Sequence, residues 1–129
     1  MSQLSNYLEK KLLDHITGFA AYTAPTDIYV ALFTAAPNDA GGGTEATGTG
    51  YAREVVTFDE AVSPDGQADS DAVVEFVAGA DWGTIVAVGL FDAATDGNLL
   101  FYGSISPTRT VNNGDTLRFP VGDIALILA

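Results

Sequence analysis

The side chains best able to do chemistry are few. His15 is the only histidine among 129 residues, and there is no cysteine. A lone imidazole has no second His for a dyad or a zinc site, and a thiolate nucleophile is excluded. His15 lies beside Lys11 and Asp14 on a helical pattern and reads as a helix-surface residue. No Gly-x-Ser-x-Gly elbow occurs. Gly41-Gly42-Gly43 is followed by Thr44-Glu45 without a lysine, so neither phosphate-binding glycine pattern is present. Asp39, Glu45, Asp69, Asp71, Asp92 and Asp96 fall in loops where hard oxygen ligands for calcium could converge. Asp92 to Asn98 faintly echoes a calcium loop but lacks the intermediate ligands and the downstream bidentate Glu. Turn chemistry is the simpler account of these acids. No catalytic, cofactor or metal residues are therefore assigned, and calcium is the one cofactor left open. Trp82, the single tryptophan, opens a strand between Asp81 and Gly83. Carbohydrate stacking on a half-exposed ring is one reading; a packed strand-end anchor suits the amphipathic ring better.

The totals narrow the classes further. A chain of this length is expected to form one domain, 1–129, able to bury a core without staples. Seventeen acids against five bases give a net charge of −12. Such a field repels nucleic acid, and no basic stripe offsets it. The acidity reads first as a solvated surface with acids in turns; adaptation to high salt, or docking on a cation-rich surface, is the sharper alternative. No apolar run approaches the ~20 residues of a membrane span, and Glu9, Lys10 and Lys11 interrupt any signal-peptide core. A protein without membrane or nucleic-acid partners, assembled in a reducing cytoplasm, is expected.

The stretch Trp82 to Ile105 organises the rest. Two apolar runs, Thr84 to Phe91 and Leu99 to Ile105, flank Asp96-Gly97-Asn98, which predicts a hairpin. Before it, Leu4, Leu8, Leu12 and Ile16 recur at four-residue spacing, with Leu13 widening the stripe. This predicts a helix over 3–17, an N-terminal segment of 1–18 ending at Gly18. That stripe serves equally for packing on the sheet or for binding a partner. Asp27 to Thr34 predicts a central strand covered on both faces. Ala35 to Gly50, rich in glycine, predicts a long irregular loop, a candidate for reaching a neighbour. Further strands are predicted at Tyr51 to Phe58, Ala72 to Ala78, Thr108 to Val111, Thr116 to Phe119 and Ile124 to Leu128, with a turn at Pro64-Asp65-Gly66 and a break at Ser106-Pro107. Seven or eight short strands between turn signals predict an all-β fold. It would be an antiparallel β-sandwich, jelly-roll or immunoglobulin-like, with one N-terminal α-helix.

Several segments together carry a resemblance. Tyr7-Leu8-Glu9, Leu12-Leu13-Asp14-His15, Ile28 to Thr34, Gly43-Thr44-Glu45 and Gly50-Tyr51-Ala52-Arg53 occur in order. Asp81-Trp82-Gly83, Gly89 to Ala93, Gly97 to Phe101 and Val111 to Leu117 complete the set. The chain resembles a family of small tailed-phage virion proteins, labelled tail fibre protein or placed among head proteins. The resemblance spans nearly the whole chain and implies a non-enzymatic structural protein of the virion. The first expectation is a head decoration (cement) protein on the lattice of the major capsid protein, as a trimer. The second is a tail-associated adhesin that recognises a host receptor. Leu4, Leu8 and Leu12 on the helix, Asn38, Asp39, Thr44 and Glu45 in the loop, and Trp82 are the candidate partner-binding residues.

Overall fold

The computed structural model describes residues 3–61 and 66–128. The turn expected at Pro64-Asp65-Gly66 begins outside the described residues. The elements run β1 (Gln3–Leu4), α1 (Asn6–Ile16), β2 (Ile28–Ala35), β3 (Thr44–Glu45), β4 (Glu54–Val56), β5 (Gln67–Asp69), β6 (Val74–Val77), β7 (Gly83–Phe91), β8 (Leu99–Val111), β9 (Thr116–Phe119) and β10 (Ala125–Ile127).

The hairpin is β7 and β8, paired from Phe91 opposite Leu99 to Gly83 opposite Val111. Its turn holds Asp96 and Gly97 at φ 56° and 72°, the positive angles that such a turn requires. The large sheet has the order β1-β8-β7-β2-β3, with β4 also on β2; every pair in it is antiparallel. Two short antiparallel ladders, β6 with β9 and β5 with β10, form the opposing layer of a sandwich. Alternation places the core. Val30 and Leu32 of β2, with Val88 and Leu90 of β7, meet Val74, Phe76, Leu117, Phe119 and Ile124 in one cluster. The reverse face of β2 and β7 buries Ala31, Phe33 and Ala87, with Val86 and Phe91 packed beside them. Apolar side chains on both faces explain why β2 reads as a continuous apolar run.

Three expectations are corrected. The helix begins at Asn6, not at residue 3, because Gln3 and Leu4 pair with Tyr102 and Phe101 on the edge of β8. Ser5 ends that pairing and caps the helix, accepting from the Leu8 N–H while its own hydroxyl donates to the Leu99 carbonyl. Ser106-Pro107 does not break the strand. The register jumps from Ser104 opposite Ala87 to Arg109 opposite Ile85, so Pro107 sits in a bulge where no ladder N–H is demanded. Within Ala35 to Gly50, Ala35 ends β2, Thr44 and Glu45 form β3, and Asn38 and Gly41 bridge each other.

Candidate functional site

The polar centre of the fold grows from a gap on the edge of β2. There β3 pairs with Phe33 and Ala35, and β4 pairs with Ile28 to Val30. The Leu32 N–H between them donates to the Tyr51 hydroxyl at 3.0 Å, and that hydroxyl donates to Glu45 Oε2 at 2.6 Å. Arg53 closes the group. Its Nε lies 3.0 Å from Glu45 Oε2 and its Nη2 lies 2.9 Å from Oε1. Its Nη1 donates to the carbonyls of Ala93 (2.9 Å) and Asp96 (2.8 Å), and its guanidinium carbon lies 3.8 Å from the Phe91 ring centroid. One guanidinium thereby ties β3, the entry to β4 and the β7–β8 turn together. The electrostatics agree. Burial pushes the Glu45 carboxyl up, but the hydrogen bonds from Arg53 and Tyr51 more than reverse it, leaving Glu45 below the usual range. Burial, then the Glu45 contact, raises the Tyr51 phenol. The Glu45 hydrogen bond raises Arg53 further.

Beside this group opens a cleft of about 450 Å³. Phe33 and Phe91 border it, their rings nearly parallel with centroids 6.2 Å apart, Phe33 itself buried and Phe91 covered on one side by Arg53. Asn6 and Tyr7 of α1, Asp39 to Gly43, Glu45, and Gly97 to Leu99 form the rest of the lining. The 38–43 arm is fixed. Asn38 and Gly41 exchange backbone bonds of 2.8 Å, the Asn6 N–H donates to the Asp39 carbonyl at 2.8 Å, and the Tyr102 hydroxyl donates to the Asp39 carboxylate. A Cβ at Gly43 would stand 2.6 Å from the Ala35 carbonyl oxygen, so only glycine lets the arm lie this close. Tyr102, bonded to Asp39, is pushed up to about 12.

Each residue singled out by the sequence now has a place. Asp39 and Glu45 line the cleft. Asn38 shapes its arm, accepting from the Ala40 N–H at 2.9 Å, and the Thr44 carbonyl accepts from the Thr34 hydroxyl. Leu4 lies in β1, Leu8 is buried, and Leu12 is half-buried against the chain's own fold. The apolar side chains that α1 and its exit leave uncovered are instead Leu13, Ile16 and Phe19, at 62%, 78% and 81% exposure. His15 is exposed and accepts the Tyr22 N–H at Nδ1, 3.1 Å away. For Trp82 the packed strand-end anchor holds, and the half-exposed reading is corrected. The ring is buried, stands edge-on to Tyr51 at 5.3 Å, and donates to the Thr49 carbonyl at 3.2 Å. Both Asp92 oxygens are engaged by Asn98, through its backbone N–H (2.7 Å) and its side-chain amide (2.9 Å). Asp71 accepts from the Thr57 hydroxyl, and Asp69 accepts from Gln67. Among the described residues, no three or more of His, Cys, Asp and Glu come together as a group able to hold a metal ion.

Sequence reasoning passed over Tyr51, Arg53, Phe91 and Asn98 as parts of one site. Their signal was present in the two glycine-led motifs Gly43-Thr44-Glu45 and Gly50-Tyr51-Ala52-Arg53, which the fold brings together. Residues 3–127 match the model of a protein family described as podophage GP4 fiber I protein gp80. No curated protein matches the chain.

Proposed function

The chain belongs to this podophage fibre family, and we propose that it is a non-enzymatic, tail-associated structural protein that recognises a host receptor. As a family member it is a component of the virion and associates with other virion proteins. The observation that carries the proposal is the extent of the match, 125 positions from residue 3 to residue 127. It favours the fibre reading over head decoration, for which it gives no support. A structural role also suits a polar centre whose hydrogen-bonding capacity is spent on holding three segments together.

The contact with the particle is assigned to the outer side of α1. Leu13 and Ile16 are exposed there, and Phe19 just past its end. An uncovered apolar patch on a helix that carries equal numbers of acids and lysines favours burial against another protein surface, which suits a homo-oligomer; the trimer remains the expected state. A contact between different patches closes into a ring when the rotation permits.

Localisation and copy number test this reading. In a map of the particle, a handful of copies on the tail is the expected result. Hundreds of copies on the head lattice would return the decoration reading to first place. Purified protein should also block adsorption of the phage to its host; full adsorption in its presence counts against receptor recognition.

A further inference from the structure

We propose that His15 is a pH-sensitive latch, whose protonation releases the connector after α1 and loosens the apolar patch there; this rests on assigning the particle contact to α1 and names how that contact is regulated. The helix ends at Thr17, and the chain turns back at Gly18, where φ is 79°. Among the described residues, two hydrogen bonds hold the stretch from Phe19 to Thr26. The Ala20 N–H donates to the Asp14 carbonyl at 3.1 Å, and the Tyr22 N–H donates to Nδ1 of His15 at 3.1 Å. No residue from Ile16 to Thr26 is charged, and most are exposed. Neither an ion pair nor deep burial therefore stands in for a lost bond. Phe19, the most exposed large apolar side chain among the described residues, is carried by this stretch.

The direction of the second bond makes it conditional. To accept from a backbone N–H, Nδ1 must offer its lone pair, which requires the neutral ring with its hydrogen on Nε2. The imidazolium carries hydrogen on both nitrogens. Protonation thus turns the acceptor into a second donor facing the Tyr22 N–H, and the bond is lost. Histidine is the side chain whose charge changes between about pH 5 and 8, so the latch is closed at the upper end of that range and opens as pH falls. The charged neighbours on α1 are otherwise engaged: the Lys11 ammonium lies over the Tyr7 ring, and Asp14 is paired with Lys10. From the connector comes Tyr22. Burial, then Tyr7 and Asp92, raises its phenol, so it stays neutral throughout. A released connector must be ordered again before Phe19 is buried in a contact, a conformational-entropy cost that the latched form does not carry.

The full chain is compared with His15→Asn, whose side-chain oxygen can accept in place of Nδ1 but does not titrate, and with His15→Ala, which has no acceptor. Imidazole nitrogen shifts in NMR report the tautomer. Hydrogen exchange, corrected for its intrinsic pH dependence, reports the Tyr22 amide. At about pH 8 the wild-type ring should carry its hydrogen on Nε2 and the Tyr22 amide should be protected; by about pH 5 that protection should fall about tenfold. His15→Asn should keep its protection at both pH values, and His15→Ala should have it at neither. Protection that ignores pH in wild type, a fall of the same size in His15→Asn, or a hydrogen on Nδ1 at pH ~8 would each overturn the latch. Light scattering over the same range ties the latch to assembly. Oligomeric mass should drop with pH in wild type and hold in His15→Asn. Exchange that follows His15 at constant mass keeps the latch and removes the patch from assembly. Exchange that ignores pH, with a mass lowered by serine at Leu13, Ile16 and Phe19, keeps the patch and removes the latch.

Discussion

Arg53 grips Glu45 with two parallel hydrogen bonds, Nε to Oε2 at 3.0 Å and Nη2 to Oε1 at 2.9 Å, across the gap that separates β3 from β4. The arginine side chain is 8% exposed and the glutamate 27%. Water therefore screens this pair far less than the surface pairs Lys10–Asp14 and Arg118–Glu75. Replacing Arg53 with Ala strands the Glu45 carboxylate, frees the Ala93 and Asp96 carbonyls and uncovers Phe91. A loss of about 3 kcal/mol in urea unfolding is expected, at the low end for a broken buried pair. Arg53→Lys should recover less than half of that loss, because an ammonium cannot serve both oxygens and both carbonyls at once. Full recovery by lysine would reduce the pair to simple charge.

The same pair sets an acid limit. The folded-state pKa of Glu45 is lowered, while an unfolded glutamate titrates near about 4.3. Above that value both states are ionised and the stabilisation is complete. As pH falls below it the unfolded chain takes up the proton first, and the stabilisation is lost progressively until pH passes the lower folded value. Wild type should therefore lose stability below about pH 4 more steeply than Glu45→Gln. Parallel acid-unfolding curves for the two proteins would count against the pair as the source.

Trp82 offers an optical test of the core. Its ring is buried against Tyr51 and bonded to Thr49, and it is the only tryptophan. Emission should be blue-shifted and protected from acrylamide quenching in the native state, then shift red in one step on unfolding. Trp82→Ala should cost about 3–5 kcal/mol through the cavity left behind. A solvent-like native spectrum would contradict this placement.

How much of this was legible depended on the range of the interactions. The central hairpin was readable because Asp96-Gly97 and two flanking apolar runs carry it locally. The start of α1 was not. Leu4 continues the four-residue spacing of Leu8 and Leu12, yet the free edge of β8 claims Gln3 and Leu4, and no local propensity encodes that edge. The 35–50 segment looked unstructured because what fixes it lies outside it: Asn6 and Tyr102 hold Asp39 from distant parts of the chain, and Arg53, just past its end, holds Glu45. Asp39 and Glu45 were identified as candidates, but their meeting at one cleft with Phe33 and Phe91 is a product of strand order. Trp82 was read correctly in its packed form and wrongly as half-exposed, since the burial of a strand-end ring depends on Tyr51 arriving from another segment.

The exposed side of α1 separates stability from assembly. Leu13, Ile16 and Phe19 touch little of their own fold. Changing all three to Ser should leave unfolding free energy within about 1 kcal/mol, as surface positions do. The same variant should lower the oligomeric mass in light scattering and reduce incorporation into particles. Unchanged mass and incorporation would move the contact to another face.

Salt tests the meaning of the net charge of −12. Among the described residues, ion pairs join Arg53 to Glu45, Lys10 to Asp14 and Arg118 to Glu75, so most of the described acids have no ion-pair partner. Their mutual repulsion acts over distances comparable to the Debye length, which shrinks from about 10 Å at 0.1 M to about 3 Å at 1 M salt. If the composition is an adaptation to saline conditions, screening should raise the thermal midpoint steadily across that range. The Glu45–Arg53 pair opposes this trend only weakly, because it is largely shielded from solvent ions. Sodium chloride and potassium chloride should act alike if screening is the cause, and the rise should level off once the Debye length falls below the spacing of neighbouring acids. A midpoint that stays flat from low to molar salt would show that the fold already tolerates its charge, and the acidity would then be a matter of solubility alone.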